Sequence, residues 1–128
     1  MTKFKAQLDD LKNALNRLEE ILEKEKDAIV RDSAIKRFEI VFDLIWKTLK
    51  TFLEEQHNVT CVSPKTCFKE AFNKGLIDYD KFWLEIADLR NETAHVYKEK
   101  LAEKVYDQFN KVLSYFQKLF EKISSQGV

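Results

Sequence analysis

Glycine and proline are almost absent from this chain, and their scarcity limits the folds open to it more than any other feature. The 128 residues include two glycines and one proline. Tight turns between strands depend on these residue types, and so do Gly-rich loops that bind phosphate. The composition therefore argues against an all-β fold and against a nucleotide-binding loop of that kind.

The composition also suits one globular domain, which we expect to span residues 1–128. About 45% of the residues are apolar, enough to build a core at this length. Lys+Arg and Asp+Glu are equal at 22 each, so the formal net charge is zero. The chain as a whole therefore has no general electrostatic attraction for nucleic acid, although a local basic site remains compatible with this balance.

The sequence predicts a cytoplasmic protein without a membrane segment. Its first residues lack the apolar run of a signal peptide, and no stretch approaches the roughly 20 apolar residues that cross a bilayer. Because disulfides are rare in a reducing compartment, we expect Cys61 and Cys67 to be free thiols.

Two helices are predicted for the first half of the chain. Apolar residues spaced 4-3-4-3-4 form one stripe from Phe4 to Leu22, and the pattern fades in the charged run 23–27. The second helix begins at about Asp27 or Asp32 and ends near Gln56. It is apolar over much of its circumference, so we expect it to be the central element or to lie at a subunit interface.

Shorter helices are predicted after a break at 57–63. Ser63 and Pro64 are a strong start signal for the third helix, and Gly75 is placed to end it in a left-handed conformation. Asp78 is expected to cap the fourth helix. The buried side of the third helix is predicted to contain Cys67, Phe68, Ala71 and Phe72.

The last apolar pattern predicts one long fifth helix, from Leu101 to Ile123. Four long helices and one short helix with short connections indicate an all-α fold, an up-and-down four-helix bundle with one extra short helix. The surplus of apolar surface on the second helix also suggests a homodimer.

The segment from Arg90 to Tyr97 carries the residues best suited to chemistry. Arg90 lies on one helical line with Trp83, Ile86 and Ala94, beside the apolar stripe. Its guanidinium offers a flat fork of donors that suits phosphate. His95 is five residues further on, about 140° around an ideal helix. The two side chains can converge if the helix ends between them or if a second subunit contributes a matching pair.

In such a composite site His95 would act as general base on a ribose 2′-OH, and Arg90 would hold the phosphate. That reaction needs no metal. The alternative is structural: Arg90 pairs with Glu85, Asp88 or Glu92, and His95 caps a helix end.

Tyr97 has two interpretations of its own. Its ring can pack under the connection between helices, or its hydroxyl can lie beside His95, open to nucleotide contact or to modification. A zinc site made of His57, Cys61, Cys67 and His95 is a further alternative, but its spacing fits no usual zinc motif, and we expect neither metal nor cofactor.

Three segments taken in order resemble a known family. They are Arg37–Lys50, Ser63–Ile77 and Asp88–Tyr97. Together they make the sequence, over roughly residues 1–124, similar to the nucleotidyltransferase substrate-binding protein family, a branch of the HEPN superfamily.

This resemblance implies a dimerising helical bundle and a partner, a minimal nucleotidyltransferase that is usually encoded nearby. The chain has no Gly-Ser loop with an Asp-x-Asp pair, so it is not itself that transferase. The resemblance also implies a possible activity, since many HEPN proteins are metal-independent ribonucleases that use an Arg-x4–6-His motif, often as toxins. In paired systems the transferase can neutralise the toxin by adding nucleotides to the tyrosine of Arg-x4-His-x-Tyr.

The resemblance assigns expected roles to four residues. Arg90 and His95 are the expected catalytic pair, Asn91 and Tyr97 are expected binding residues, and Tyr97 is the expected modification site. The leading hypothesis is a substrate-binding subunit of a two-component, toxin–antitoxin-like system that binds the transferase and nucleotide or RNA phosphate. The alternatives are an RNA endonuclease toxin that uses Arg90 and His95, and a structural helical adaptor.

Overall fold

The computed structural model describes residues 2–127, and within them the chain is all-α, as the composition predicts. No strand occurs among these residues, and none of their helices is long and apolar enough to cross a membrane. A short 3₁₀ turn, Thr93–His95, follows the fourth helix. The helices are α1 (Lys3–Leu22), α2 (Ala28–His57), α3 (Pro64–Asn73), α4 (Phe82–Glu92), α5 (Glu99–Tyr106) and α6 (Phe109–Gln126).

Side-chain caps fix the starts of the two longest helices. The Thr2 hydroxyl accepts a hydrogen bond from the backbone N–H of Lys5 at 3.1 Å. Asp27 does the same for the N–H of Val30 at 2.7 Å, so α2 takes the earlier of its two predicted starts. Each cap satisfies a donor that has no partner inside the helix. Asn58 ends α2 in the left-handed region, with φ 55°.

The central position predicted for the second helix is confirmed, since α2 contacts α1, α3, α4, α5 and α6. The ring of Phe38 in α2 is fully buried and stacks on Phe109 of α6, with ring centroids 4.8 Å apart. Phe42 meets Phe68 of α3 edge to face. These aromatic contacts join the middle of α2 to both α3 and α6, where offset and edge-on ring pairs add to the free energy gained by burial.

A buried arginine ties the start of α2 to α5. Arg31 is 5% exposed, and its Nη1 lies 2.5 Å from Glu99 Oε1 and 2.9 Å from Glu103 Oε1. Lys26 also pairs with Glu103 and, together with Arg31, lowers the pKa of that carboxyl. A buried guanidinium needs such partners, because burying it alone is costly. The network therefore fixes where α5 begins.

The prediction of one long fifth helix is wrong. The segment forms α5 and α6, separated by a turn at Asp107 and Gln108. There the N–H of Gln108 bonds to the oxygen of Val105, a three-residue step in place of the α-helical four. Val105 and Phe109 on either side are both fully buried. The apolar spacing is the same with or without this tightening, so the pattern did not reveal it.

The start of α4 also differs from the prediction. Asp78 does not cap the helix; Asp80 accepts the hydrogen bond from the N–H of Phe82 at 2.9 Å. Gly75 does end the preceding segment at φ +74°, as predicted. Phe72, expected inside, is 44% exposed, because it lies one position beyond the buried face that ends at Ala71.

The prediction of free thiols is contradicted as well. Cys61 and Cys67 form a disulfide, with Cα atoms 5.2 Å apart. Ser63 and Thr66 form a capping box at the start of α3, and the turn that leads into it brings Cys61 back over the first turn of the helix. The prediction considered only the redox state of a compartment and not this local geometry.

The aromatic contacts yield a stability prediction. Phe38→Ala removes a fully buried ring between α2 and α6 and should lower the free energy of unfolding by about 3–5 kcal/mol. The matched control is Phe72→Ala, whose side chain is 44% exposed and which should cost under about 1 kcal/mol. Urea titration followed by circular dichroism measures both. Equal losses would contradict the core described above.

Candidate functional site

The helix that carries Arg90 ends before it reaches His95. α4 stops at Glu92, and the chain continues through the 3₁₀ turn. The oxygen of His95 then accepts a hydrogen bond from the N–H of Lys98 at 3.0 Å, which directs the chain into α5. We call the segment from Thr93 to Lys98 the α4–α5 junction. It lies where the apolar pattern of the sequence fades.

Arg90 is bound to two carboxylates of α2. Its Nε and Nη2 contact the two oxygens of Asp43 at 3.3 and 3.2 Å, and its Nη1 lies 2.8 Å from Glu39 Oε2. The two acidic residues are four apart, so they lie on one face of α2 and enclose the planar guanidinium. The Arg90 side chain is 29% exposed. The last turn of α4 is thereby attached to the middle of α2.

Thr93 completes this cluster from the first residue of the junction. It is 5% exposed, and its Oγ1 lies 2.6 Å from the backbone oxygen of Arg90 and 2.9 Å from Glu39 Oε2. Arg90 Nη1 also donates to this hydroxyl at 3.1 Å. The cluster therefore joins the end of α4, the start of the junction and α2, and it fixes the direction in which the chain leaves the helix.

The charges of this cluster restrict what Arg90 can bind. One guanidinium and two carboxylates sum to a net charge of −1. An arginine offers five N–H donors. Arg90 already donates four hydrogen bonds, to Asp43, Glu39 and Thr93. The hydrogen bonds with Asp43, with the charge of Glu39 adding to them, raise the pKa of Arg90. Within one subunit, a phosphate would meet a nearly saturated cation inside a negative cluster.

His95 and Tyr97 have the opposite environment. Both are exposed, Tyr97 at 76%, and their ring centroids are 6.1 Å apart in an edge-to-face arrangement. Within residues 2–127, neither the imidazole nor the phenol makes a side-chain hydrogen bond. Asn91, on the last turn of α4, is exposed as well. The junction thus presents an imidazole and a phenol to solvent, side by side.

The structure separates the residues that the sequence grouped. Within one subunit no hydrogen bond joins Arg90 and His95 in the described part of the chain, because the guanidinium turns inward to α2. The structural alternative paired Arg90 with Glu85, Asp88 or Glu92, and that pairing is wrong. Asp88 pairs instead with Lys65 at 2.7 Å. Ala94 leaves the helical line because α4 has already ended.

Other parts of the structural alternatives are also wrong. Tyr97 does not pack under the connection, and the His95 side chain caps no helix in the described residues. The disulfide leaves neither cysteine sulfur as a thiolate for zinc. Among residues 2–127, no group of three or more His, Cys, Asp or Glu side chains is placed to hold a metal ion.

Sequence reasoning missed Glu39, Asp43 and Thr93. The available signal was the pair of carboxylates four residues apart in the run 38–46, whose other residues are all apolar. Acidic side chains beside a buried face usually have a cationic partner. Counting the cations that could reach that face would have pointed to Arg90.

Comparisons with known proteins identify the family of the chain and agree with its fold. A sequence-family model described as nucleotidyltransferase substrate binding protein like matches residues 6–125. A relative from Haemophilus influenzae, named as probable ribonuclease HepT, is 30% identical over 78% of this chain and 74% of its own.

Two solved structures share the fold. A protein from Thermus thermophilus superposes with a TM-score of 0.78 at 30% identity, over 91% of this chain and 97% of that one. A Haemophilus influenzae protein, described as having the fold of a substrate binding domain of a nucleotidyltransferase, gives 0.76 at 25% identity, over 91% and 98%. Since the family model extends over nearly the whole sequence, this chain belongs to the nucleotidyltransferase substrate-binding protein family.

Proposed function

We propose that this chain is the HEPN-type subunit of a two-component, toxin–antitoxin-like system, and that it acts in the cytoplasm with a minimal nucleotidyltransferase as its partner. The observation that carries the proposal is the exposed Tyr97 phenol beside the exposed His95 imidazole on the α4–α5 junction. A nucleotidyltransferase needs an accessible hydroxyl as acceptor, and the junction presents one.

The junction is anchored at both ends, which suits recognition by a protein partner. At its start, the Arg90 cluster attaches α4 to α2. Just beyond it, Glu99 and Glu103 of α5 bind the buried Arg31. A surface segment that is already ordered loses little conformational entropy on binding. Tyr97 is therefore offered on a defined surface and not on a loose loop.

The chemistry of the proposed modification is a nucleotidyl transfer. The Tyr97 oxygen attacks the α-phosphorus of ATP, the bond to the β-phosphate oxygen breaks, and pyrophosphate leaves. The phenol proton passes to a base of the transferase or to solvent. Tyr97 then carries an AMP group with a negative charge beside His95. That charge would hinder approach of a polyanion to the imidazole.

Tyr97 supplies the first test of function. Incubation with the adjacent gene's transferase, ATP and Mg²⁺ should add the mass of AMP to Tyr97, and Tyr97→Phe should abolish the addition. Tyr79→Phe is the matched control, since Tyr79 is 72% exposed and lies outside the junction. Intact-mass and peptide-mapping spectrometry measure the product. Equal labelling of the Tyr97→Phe variant, or no complex with the transferase on gel filtration, would contradict the proposal.

A second candidate activity is metal-independent cleavage of RNA, and two observations favour it. The His95 imidazole is exposed and has no hydrogen-bond partner among residues 2–127, so it is accessible as a general base. The 30% identical relative is named as a probable ribonuclease. His95 would take the 2′-OH proton, O2′ would attack phosphorus, and the bond to O5′ would break. The leaving 5′ oxygen takes a proton from solvent, and the other product is a 2′,3′-cyclic phosphate.

In this reaction we propose that a homodimer brings two copies of the junction together. One subunit keeps the Arg90 guanidinium turned to α2, so a phosphate bound near His95 needs further cationic donors. The exposed ring of Tyr97 on the junction is surface that a second copy can cover. Arg90 retains a donor for the phosphate, and Asn91 can add an amide contact.

Substitutions at two histidines test the ribonuclease activity. The purified protein should cleave single-stranded RNA in the presence of EDTA, and His95→Ala should lower the rate by at least about 100-fold if the imidazole is the general base. His57→Gln is the control, because His57 is the last residue of α2, outside the junction, and packs on Phe52. Gel analysis of end-labelled RNA gives rates and end groups. Cleavage that survives His95→Ala would sink this activity, and loss of stability alone would favour a structural adaptor.

A further inference from the structure

A shallow groove between α1 and α2 carries a second pair of arginines. Arg17 of α1 and Arg37 of α2 lie at one end of it, and Asn13 lies beside them. Its volume is about 280 Å³. We call it the Arg17–Arg37 groove. Its lining residues are Asp10, Asn13, Ala14, Arg17, Arg37, Ile40 and Leu44.

These two guanidiniums differ from the other two in the chain. The sequence contains four arginines. Arg31 and Arg90 each bind at least two carboxylates. Within residues 2–127, Arg17 and Arg37 have no carboxylate within 4.0 Å. The one acidic residue of the groove, Asp10, is seven residues from Arg17, about 10 Å along the helix. The groove therefore carries a net positive charge at the end where the two arginines lie.

Arg37 is also held in place. Its Nη1 donates to the backbone oxygen of Arg17 at 2.7 Å. This bond crosses from α2 to α1 and leaves most of the donors of Arg37 free, since an arginine has five. Two like charges at one end of a groove repel each other, so the arrangement gains most from an anion between them. A planar fork that is fixed in advance suits the oxygens of a phosphate.

The rest of the groove indicates the size of the ligand to which the phosphate belongs. Ile40 is 44% exposed and Leu44 is half-buried, so an apolar strip extends from the arginines along α2. Pockets that enclose small molecules measure roughly 300–1,000 Å³ and bury most of the ligand. This groove is smaller and shallow. It fits one phosphate of a chain together with the sugar or base next to it better than a complete small ligand.

The position of the groove on α2 relates it to the candidate site. Arg37 and Glu39 are two residues apart, about 160° apart around the helix axis, and the exposed Ile40 lies on the arc between them. The Arg90 cluster on the Glu39 side is net negative and nearly saturated. The uncommitted guanidinium donors of this surface are on the Arg37 side.

We propose that the Arg17–Arg37 groove is a phosphate subsite that binds the backbone of single-stranded RNA at a distance from His95. This inference rests on the RNA-directed activity proposed above for the identity of its ligand. Arg17 and Arg37 bind one phosphodiester, and Ile40 and Leu44 contact the adjoining nucleoside. The strand then continues over the exposed arc of α2. The groove would contribute affinity for the RNA, and the α4–α5 junction would carry out the cleavage.

The test uses two charge-matched double variants. Arg17→Gln/Arg37→Gln removes two cations from the groove. Lys118→Gln/Lys122→Gln removes two from a different cleft that the two lysines line on α6. Both change the formal net charge from zero to −2. The probe is a fluorescein-labelled, 2′-O-methyl single-stranded oligonucleotide, which lacks the attacking 2′-OH and cannot be cleaved through it. Fluorescence anisotropy over a series of salt concentrations gives the affinity and its salt slope.

The arginine variant should bind the oligonucleotide at least about tenfold more weakly. Its slope of log K against log salt should be shallower by about 0.7, the value for one phosphate of a single strand that is no longer neutralised. The lysine variant should change affinity by less than about threefold, because its lost charges line a different cleft and salt screens them. Arg17→Lys/Arg37→Lys keeps the charge but loses the fork, and should fall between wild type and the glutamine variant.

Three outcomes would overturn the inference. They are equal losses in the arginine and lysine variants, unchanged affinity in the arginine variant, and binding of ATP at the groove without binding of the oligonucleotide. Thermal unfolding of each variant checks that the fold is kept. The assay needs neither the transferase nor cleavage. If the wild-type protein cleaves RNA and the arginine variant binds the oligonucleotide as well as the wild type does, the groove is not an RNA subsite, while the ribonuclease activity stands.

Discussion

The ion pairs of Arg90 with Glu39 and Asp43 are the interaction on which the candidate site depends. They attach the last turn of α4 to the middle of α2, which is the central helix of the fold. Thr93 extends this attachment into the junction through its buried hydroxyl. Because α4 ends there, His95 and Tyr97 lie outside the helix and are exposed. Without the pairs, the position of the junction would depend on the apolar face of α4 and on the exposed pair of Asp88 with Lys65.

The same interaction gives the arginines of the chain different roles. A guanidinium that already holds two carboxylates stabilises the fold and directs the chain, but it has little capacity left for a phosphate. Exposed ion pairs contribute little to stability, whereas half-buried ones with two-point geometry contribute more. The part of the surface that can attract a polyanion then lies elsewhere on α2, at Arg37 and its neighbour Arg17. An overall charge of zero is compatible with this arrangement, since the cations are unevenly placed and not in excess.

Much of the fold could be predicted because it depends on local chemistry. The stripe of α1, the cap at Asp27, the box at Ser63 and the left-handed Gly75 all act within a few residues of the chain. The break between α5 and α6 could not be seen, since the spacing of apolar residues is unaffected by one tightened turn. The disulfide was missed for a different reason. Its formation depends on how the turn before α3 folds, which the sequence spacing of Cys61 does not specify.

The candidate site was predictable in its position but not in its contacts. The sequence located Arg90 beside the buried stripe, and it left open whether the helix ends before His95 or a second subunit contributes a matching pair. The partners of Arg90 are 47 and 51 residues away in the chain, so only the packing of α4 on α2 reveals them. Motif spacing describes one helix at a time, and this cluster is formed between two.

The most direct measurement of the central claim is a double-mutant cycle between Arg90 and Glu39. Unfolding free energies of wild type, Arg90→Gln, Glu39→Gln and the double variant isolate the energy of their interaction. The pair is partly buried, at 29% and 21% side-chain exposure, with atoms 2.8 Å apart. If Arg90 serves as the attachment of α4 to α2, the cycle should give a favourable coupling of about 1 kcal/mol. A coupling below about 0.3 kcal/mol, with additive single effects, would show that the pair of Arg90 with Glu39 does not hold α4 on α2 and would contradict the account.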